Sequence, residues 1–299
     1  MRSLLFRLQH RYAPYLFVAP FVVLFLVFTL YPLVKSIQLS FYITNGPKSQ
    51  LFVGLDNFRF LYGDPAFHQA VWNTCIYACG SVFLQLPLSL GLALLLNSNM
   101  VRGRDFFRFT FFSPHLVGQV FVAVLFSVIF IPKFGLLNRV LHSLFDVAID
   151  TKWLGNPDLV MPALILTSLW MYVGFNMIYC LAALQGVDRS LYEAAQVDGA
   201  GPFKQFLHVT LPGIRGVAVF VAVLSTIGSF QLFELPYVML NNTAGPDNSG
   251  LTVVMYLYQN GFVAGDLGYA SAIGWTLTFA VLVISLVQMR LSGTWKTED

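Results

Sequence analysis

Charged residues are few in this sequence. Asp, Glu, Lys and Arg make up 10% of 299 residues, against 57% hydrophobic ones and a mean hydropathy of +0.70, whereas a soluble domain carries about a quarter charged residues. So few ionic groups cannot cover the surface of a water-soluble chain. Catalytic signatures are missing as well. No Gly-Lys dipeptide occurs, so there is no phosphate-cradling G-x-x-x-x-G-K-[ST] loop and the chain cannot by itself be a P-loop ATPase. Neither H-E-x-x-H nor G-x-S-x-G is present, and His10, His68, His115, His142 and His208 are dispersed. A metal or nucleophile site therefore has no obvious residues, and no catalytic residue, metal or chain-bound cofactor is expected.

Cysteine is limited to Cys75, Cys79 and Cys180. All three fall in apolar stretches, where a thiol packs as a small hydrophobe, and Cys75 and Cys79 read as packing and not as metal ligands. Acids are nearly absent from the same stretches. Ion-coupled transport needs a titratable or ion-binding group at membrane depth, and Glu234 alone offers one. By helix rise it lies roughly 30 Å from Ile214, near one interface, where it either meets a substrate or is simply solvated.

The apolar residues are gathered and not scattered. Runs free of Asp, Glu, Lys and Arg cover residues 12–34, 70–101, 109–132, 159–187, 216–233 and 267–289, each long enough to supply the roughly 20 residues, at the short end about 17, that cross a hydrocarbon core of about 30 Å. The fifth is the least sharply bounded, since the chain resumes as an apolar stretch beyond Glu234. None shows the period-2 alternation of a barrel strand, which leaves helices as the spanning structure. The expected fold is all-α, a polytopic membrane protein with about six transmembrane helices. The first run exceeds a signal-peptide core and lacks a small-residue cleavage site, so it reads as a retained helix.

The formal charge of +3 and pI of about 8.7 report orientation, not a nucleic-acid partner. Arg2, Arg7 and Arg11 precede the first run, Arg102, Arg104 and Arg108 fill the second connection, Arg189, Lys204 and Arg215 lie in the fourth, and Arg290 and Lys296 close the chain. The alternate connections hold Lys35, Lys48 and Arg59, then Lys133, Arg139 and Lys152, and none between Gly245 and Leu267. The positive-inside rule then expects both termini in the cytoplasm.

The fourth connection, residues 188–212, reads as two short helices and not as a polar turn. Ser190 and Glu193 form a capping-box pattern. Gly199, just past Asp198, suits a left-handed helix end, Pro202 suits a first helical position, and Pro212 is expected to stop the second helix. Phe203, Phe206 and Leu207 share a face. Small Ala194 and Ala195 permit close approach while Tyr192 and Phe203 could anchor in a partner pocket; the alternative is that both helices fold back on the membrane core.

Glu193-Ala194-Ala195, Gly199, then Val209 and Leu211-Pro212 resembles the EAA loop of binding-protein-dependent ABC importer permeases. Residues 52–58, Gly174-Phe175-Asn176, residues 225–233 and residues 268–272 are similar to the carbohydrate-uptake branch, the maltose and glycerol-phosphate type, so that the likeness covers nearly the whole chain. Residues 241–246, Asn241-Asn242-Thr243-Ala244-Gly245-Pro246, depart from it, since that branch has a run of glycines before the Gly-Pro. The resemblance implies a type I importer permease fold and an ATPase-coupling surface at Tyr192, Glu193, Ala194, Ala195, Asp198, Gly199, Phe203, Leu211 and Pro212. It implies as partners a second permease subunit, two cytoplasmic ATPase subunits that carry ATP and Mg, an extracytoplasmic solute-binding protein, a sugar and membrane lipid, in a bacterial or archaeal cytoplasmic membrane.

A sugar pathway needs amides, hydroxyls and aromatic faces in place of charge. Trp170, Tyr172, Gly174, Asn176, Ser229, Phe230, Gln231 and Glu234 are the candidates; packing and interhelical bonding are the competing roles for Trp170, Tyr172 and Gln231. The expected organisation is residues 1–69 as an N-terminal segment with the first helix and outer loop, residues 70–291 as a five-helix core carrying the 188–212 loop, and residues 292–299 as a tail. The alternatives are a stand-alone secondary transporter, or a permease of the same type for a solute other than a sugar.

Overall fold

The computed structural model describes residues 2–44, 46, 49–98 and 101–293; Lys48, Lys296 and most of the expected tail fall outside them. Helices α1 (Arg2–Phe25) and α2 (Tyr31–Leu39) are joined by a π-helical turn at Leu26–Leu30. Strands β1 (Tyr42–Thr44) and β2 (Gln50–Phe52) form an antiparallel hairpin, followed by α3 (Asp56–Gly63) and the long α4 (Pro65–Asn97). Then come α5 (Arg104–Leu116), α6 (Gln119–Ile129), α7 (Leu136–Phe145) and α8 (Pro157–Gln185). Short helices α9 (Arg189–Val197), α10 (Pro202–Gln205) and α11 (Leu211–Gly213) lead into α12 (Arg215–Phe230) and α13 (Glu234–Met239), and α14 (Val253–Tyr258) and α15 (Leu267–Leu291) finish the chain.

The six apolar runs become four helices long enough to span, Tyr15–Leu39, Pro65–Asn97, Pro157–Gln185 and Leu267–Leu291, plus two bent pairs. The pair α5 and α6 turns by 99°, and the pair ending in α12 by 70°. Uninterrupted sequence hydrophobicity conceals the first break, whereas Pro212 and Arg215 mark the second. The first has a local cause: Pro114 lies in the last turn of α5, and Val117 and Gly118 are extended before α6 begins.

The chain divides into two compact units. The smaller runs to Gly63 and includes Leu257–Thr276. Its first span has no buried residue in its apolar window, so lipid or other protein must cover it. The hairpin is fixed by Asn57, whose amide donates to the Ser40 and Tyr42 carbonyls at 2.9 Å each. Asp266 accepts from the Thr44 and Tyr269 backbone amides at 3.1 and 3.0 Å, so it both caps α15 and ties that helix to the hairpin. Gly268 is where the two touch: a Cβ there would lie 1.8 Å from the Tyr42 carbonyl oxygen. Two stretches that resemble the carbohydrate branch, 52–58 and 268–272, thus meet in one small unit.

The larger unit holds Asp64–Tyr256 and the chain from Leu277. Helix α4 serves all of it. Near its start Gln69 and Asn73 donate to the Asp247, Asn248 and Leu251 carbonyls at 2.7–3.0 Å, and Thr74 accepts from the Val253 amide at 3.0 Å. These bonds hold the 241–252 segment, where Asn241, Asn242 and Gly245 take positive φ. Asparagine tolerates that conformation better than most residues. Near its end, Ala93 and Leu96 of α4 join Met177, Cys180, Leu181 and Leu184 of α8 and Ile214 in a buried apolar cluster.

Candidate functional site

Between these two ends, α4 presents Tyr77, Ser81, Gln85 and Ser89 at four-residue spacing, all buried. Residues four apart share a helix face, and this polar face points at α8 and α12. Ser81 and Ser229 share a hydrogen bond of 3.0 Å, Ser89 donates to the Val173 carbonyl at 2.9 Å, and Asn176 donates to Gln85 and Ser225 at 3.4 and 3.1 Å. Such bonds hold helices together where apolar burial cannot, because lipid is as apolar as leucine.

Beside them opens a cavity of about 390 Å³. Tyr77 and Gln85 of α4, Gln119 of α6, Tyr172, Phe175 and Asn176 of α8, and Ser225 and Ser229 of α12 line it, with Gln231, Glu234 and four further residues. Gln119 heads α6 directly after the break, and its amide donates to the Tyr172 hydroxyl. Phe175 is backed by His115, whose ring stacks on it with centroids 4.1 Å apart. His115 packs here through its ring, and its Nδ1 has no hydrogen-bond partner among the described residues. A larger recess of about 430 Å³ is floored by Phe130, Trp153 and Met239 and shares no lining residue with this cavity.

Of the eight candidates named for the pathway, Tyr172, Asn176, Ser229, Gln231 and Glu234 come together here. Glu234 does not extend α12: the helix ends at Phe230, three residues turn the chain, and Glu234 opens α13. It lines the cavity wall from the start of that second helix. Trp170, Gly174 and Phe230 are not in the lining. Trp170 meets Phe126 edge-on at 5.5 Å, and Gly174 lets α5 lie directly on α8, since a Cβ there would sit 1.7 Å from the Phe111 carbonyl oxygen. Sequence reasoning missed Tyr77, Gln85, Gln119, Phe175 and Ser225 as lining residues. The four-residue polar periodicity of α4 was the signal available for the first two.

The connection after α8 forms the second element of the site. Its first helix is capped by Asp188, which accepts from the Ser190 amide at 2.9 Å, and not by Ser190 as the capping-box pattern suggests. Asp188 is extended, which brings its carboxylate over that amide, and the interaction holds its carboxyl below the usual carboxylate range. Glu193, freed from capping, pairs with Arg189 at 3.7 Å on the exposed side. Gly199 ends the helix at φ +74°, with Ala200 bonding back to the Ala195 carbonyl and Gly199 to that of Gln196, a Schellman arrangement.

Pro202 begins the next helix, with Gly201 before it. Pro212 does not stop that helix. A π-turn at Phe206–Thr210 widens the backbone ahead of it, and the helical path continues through Gly213 before bending at Ile214; a widened turn absorbs the hydrogen bond a proline cannot donate. Tyr192 is half-buried, its hydroxyl 3.0 Å from that of buried Thr210, so it pins the two helices together and is no exposed anchor. Leu191, Val197 and Phe203 are exposed, Val197 by 88% and Phe203 by 75%. Both roots are fixed: Gly213 packs on Val187, leaving 2.9 Å for a Cβ, and Ile214 is buried in the cluster with α8 and α4. Helices α8 and α12 therefore each carry a wall of the cavity at one level and a root of this connection at another.

Comparison with known proteins places this architecture. A model of the family described as binding-protein-dependent transport system inner membrane component matches residues 10–293. The arabinooligosaccharides transport system permease protein AraP of Bacillus subtilis is 42% identical over 289 residues, covering 96% of this chain and 90% of that protein. The lactose transport system permease protein LacF of Rhizobium radiobacter is 36% identical, covering 92% of each. The sn-glycerol-3-phosphate transport system permease protein UgpA of Salmonella typhimurium is 32% identical, covering 94% of each. A chain of a bacterial ABC transporter that imports the acidic polysaccharide alginate superposes with a TM-score of 0.83 at 26% identity, covering 98% of this chain and 99% of that one. With the family matched over nearly its full length and the fold shared end to end, the chain belongs to the binding-protein-dependent transport system inner membrane components and is a multi-pass permease of the ABC importer type.

Proposed function

We propose that this chain is one of two permease subunits in an ATP-driven importer and carries half of a path for a sugar delivered by an extracytoplasmic binding protein. The observation that carries the reading is the double duty of α8 and α12, which line the polar cavity and also root the exposed two-helix connection. A push on the connection is then a push on the cavity walls. Two cytoplasmic ATPase subunits, which would hold ATP and Mg, would receive Leu191, Val197 and Phe203 in their docking grooves, and their closure would draw α9–α11 inward. Hydrolysis on those subunits would reset the pathway. The clustering of Arg102, Arg104, Arg108, Arg189, Lys204 and Arg215 in two connections supports a cytoplasmic position for them and for both termini.

The cavity chemistry supports a hydroxyl-rich solute: amides and hydroxyls replace hydration and Tyr77, Tyr172 and Phe175 supply aromatic faces. Among the relatives, AraP and LacF bear the names of neutral sugars and UgpA that of a phosphate ester of glycerol, so the family by itself leaves the charge of the cargo open. Co-purification from native membranes through a tag on this chain, with mass spectrometry, tests the assembly. An ATPase and a second permease should come down with the wild type, and the ATPase should be lost when Glu193 and Gly199 are replaced by bulky residues. A wild-type chain that comes down alone and still transports solute would refute the importer reading in favour of a secondary transporter.

A further inference from the structure

We infer that Glu234 acts as a charge filter, so that this chain's half of the pathway accepts neutral, hydroxyl-rich sugars and rejects sugars bearing a carboxylate, phosphate or sulfonate. The inference rests on the cavity being part of the sugar path proposed above, and it names the substrate class that path selects.

Glu234 is the single formally charged residue in the lining; no Lys, Arg or His shares the wall with it. No hydrogen bond or ion pair among the described residues engages its carboxylate, which is exposed. Two of the wall's amides bond within it, Asn176 donating to Gln85 and Ser225 and Gln119 donating to Tyr172, and Gln231 adds a neutral amide to the same lining. The one charged group that the lining presents to a ligand is therefore an acceptor that cannot donate while ionised. A sugar hydroxyl can donate to it, and a charge-assisted bond of this kind is stronger than one between neutral groups. An anionic group on the ligand finds no side chain of opposite charge in the lining. Like charges brought together in a cavity wall cost affinity by about tenfold or more.

The test is calorimetric titration of the detergent-purified permease–ATPase complex with two probes: a neutral oligosaccharide, and the same oligosaccharide oxidised to a uronate at its terminal residue. The wild type should bind the neutral probe at least about tenfold more tightly, a ratio that shrinks as salt is raised. Glu234→Gln should bring the two probes within about threefold of each other, while Glu234→Asp keeps the wild-type ratio. Gln preserves the shape of an exposed side chain, and recovery of the ATPase with each variant verifies assembly. A wild type that binds both probes equally, or a Glu234→Gln ratio equal to that of the wild type, overturns the filter. A wild type that binds neither probe, while importing a solute that is not a sugar, overturns the sugar reading and the filter with it. That outcome is told apart by the absence of any sugar binding to compare.

Discussion

Replacing Gly174 by alanine adds one methyl group, and in most helices that stabilises by up to about 1 kcal/mol because glycine loses more backbone entropy on folding. At this position the methyl would sit 1.7 Å from the Phe111 carbonyl oxygen and 2.3 Å from its carbon. A carbon–oxygen contact needs about 3.3 Å, so α5 must retreat from α8 by roughly 1.6 Å. The obstacle is helix backbone, which cannot swing aside as a side-chain tip can. Overpacking of this kind costs about 3 kcal/mol at the upper end of the observed range, leaving about 2 kcal/mol net, a factor of about 30 in the folded population. The retreat also separates His115 from Phe175 and Gln119 from Tyr172, so the cavity wall should suffer along with the packing. The assay is thermal unfolding of the purified complex with Gly91→Ala as control, since a Cβ at Gly91 in α4 meets nothing within 4 Å. Gly174→Ala should melt about 4–8 °C lower and Gly91→Ala at or slightly above wild type. If the two variants melt together, α5 does not lie on α8 this closely in the membrane and the account of the bent pair is wrong.

Gly199→Ala forces a Cβ into a left-handed position at φ +74°, which costs about 1 kcal/mol without a steric clash; α9 should fray and retention of the ATPase in pull-downs should drop. Tyr192→Phe removes the bond to Thr210 at a cost of about 1 kcal/mol, and sugar-stimulated ATP hydrolysis should weaken while basal hydrolysis by the ATPase subunits stays; unchanged stimulation would show that the two short helices need no such pin. For Asp188 the sign follows from its depressed carboxyl: the cap contributes above the usual carboxylate range and is lost as pH falls through the lowered folded value. Hydrogen exchange of the α9 amides should therefore quicken on acidification below about pH 4 in the wild type, and show no such step in Asp188→Asn.

How much of this was legible in the sequence depends on the kind of signal. Six apolar runs give the helical membrane class because the hydrocarbon length is a hard constraint, and the Gly199 and Pro202 punctuation gives the two short helices because their backbone preferences are local. The 99° turn between α5 and α6 was hidden, since Val117 and Gly118 are as apolar as the helices they separate and hydropathy carries no directional information. Asp188 displaced Ser190 as the cap through a backbone angle that residue spacing does not encode. The break before Glu234 was hidden for a similar reason: helix rise assumes that α12 continues, whereas Gln231–Phe233 turn the chain first. The cavity residues of α4 were readable in principle, as polar side chains every fourth position on an apolar span, but nothing local says which neighbouring helices they face.

The length of α4 has a mechanical meaning. From Asn73, which grips the 241–252 segment, to Leu96, which sits in the cluster at the root of α9–α11, the helix runs about 35 Å and passes the cavity on the way. It behaves as a strut loaded at both ends, so that a displacement of one end reaches the other without any relay of rearranging side chains. Pro87 interrupts the strut two residues beyond Gln85, at a point where one backbone bond is missing and bending stiffness is lowest. Force applied at either end should flex the strut at the level where solute passes.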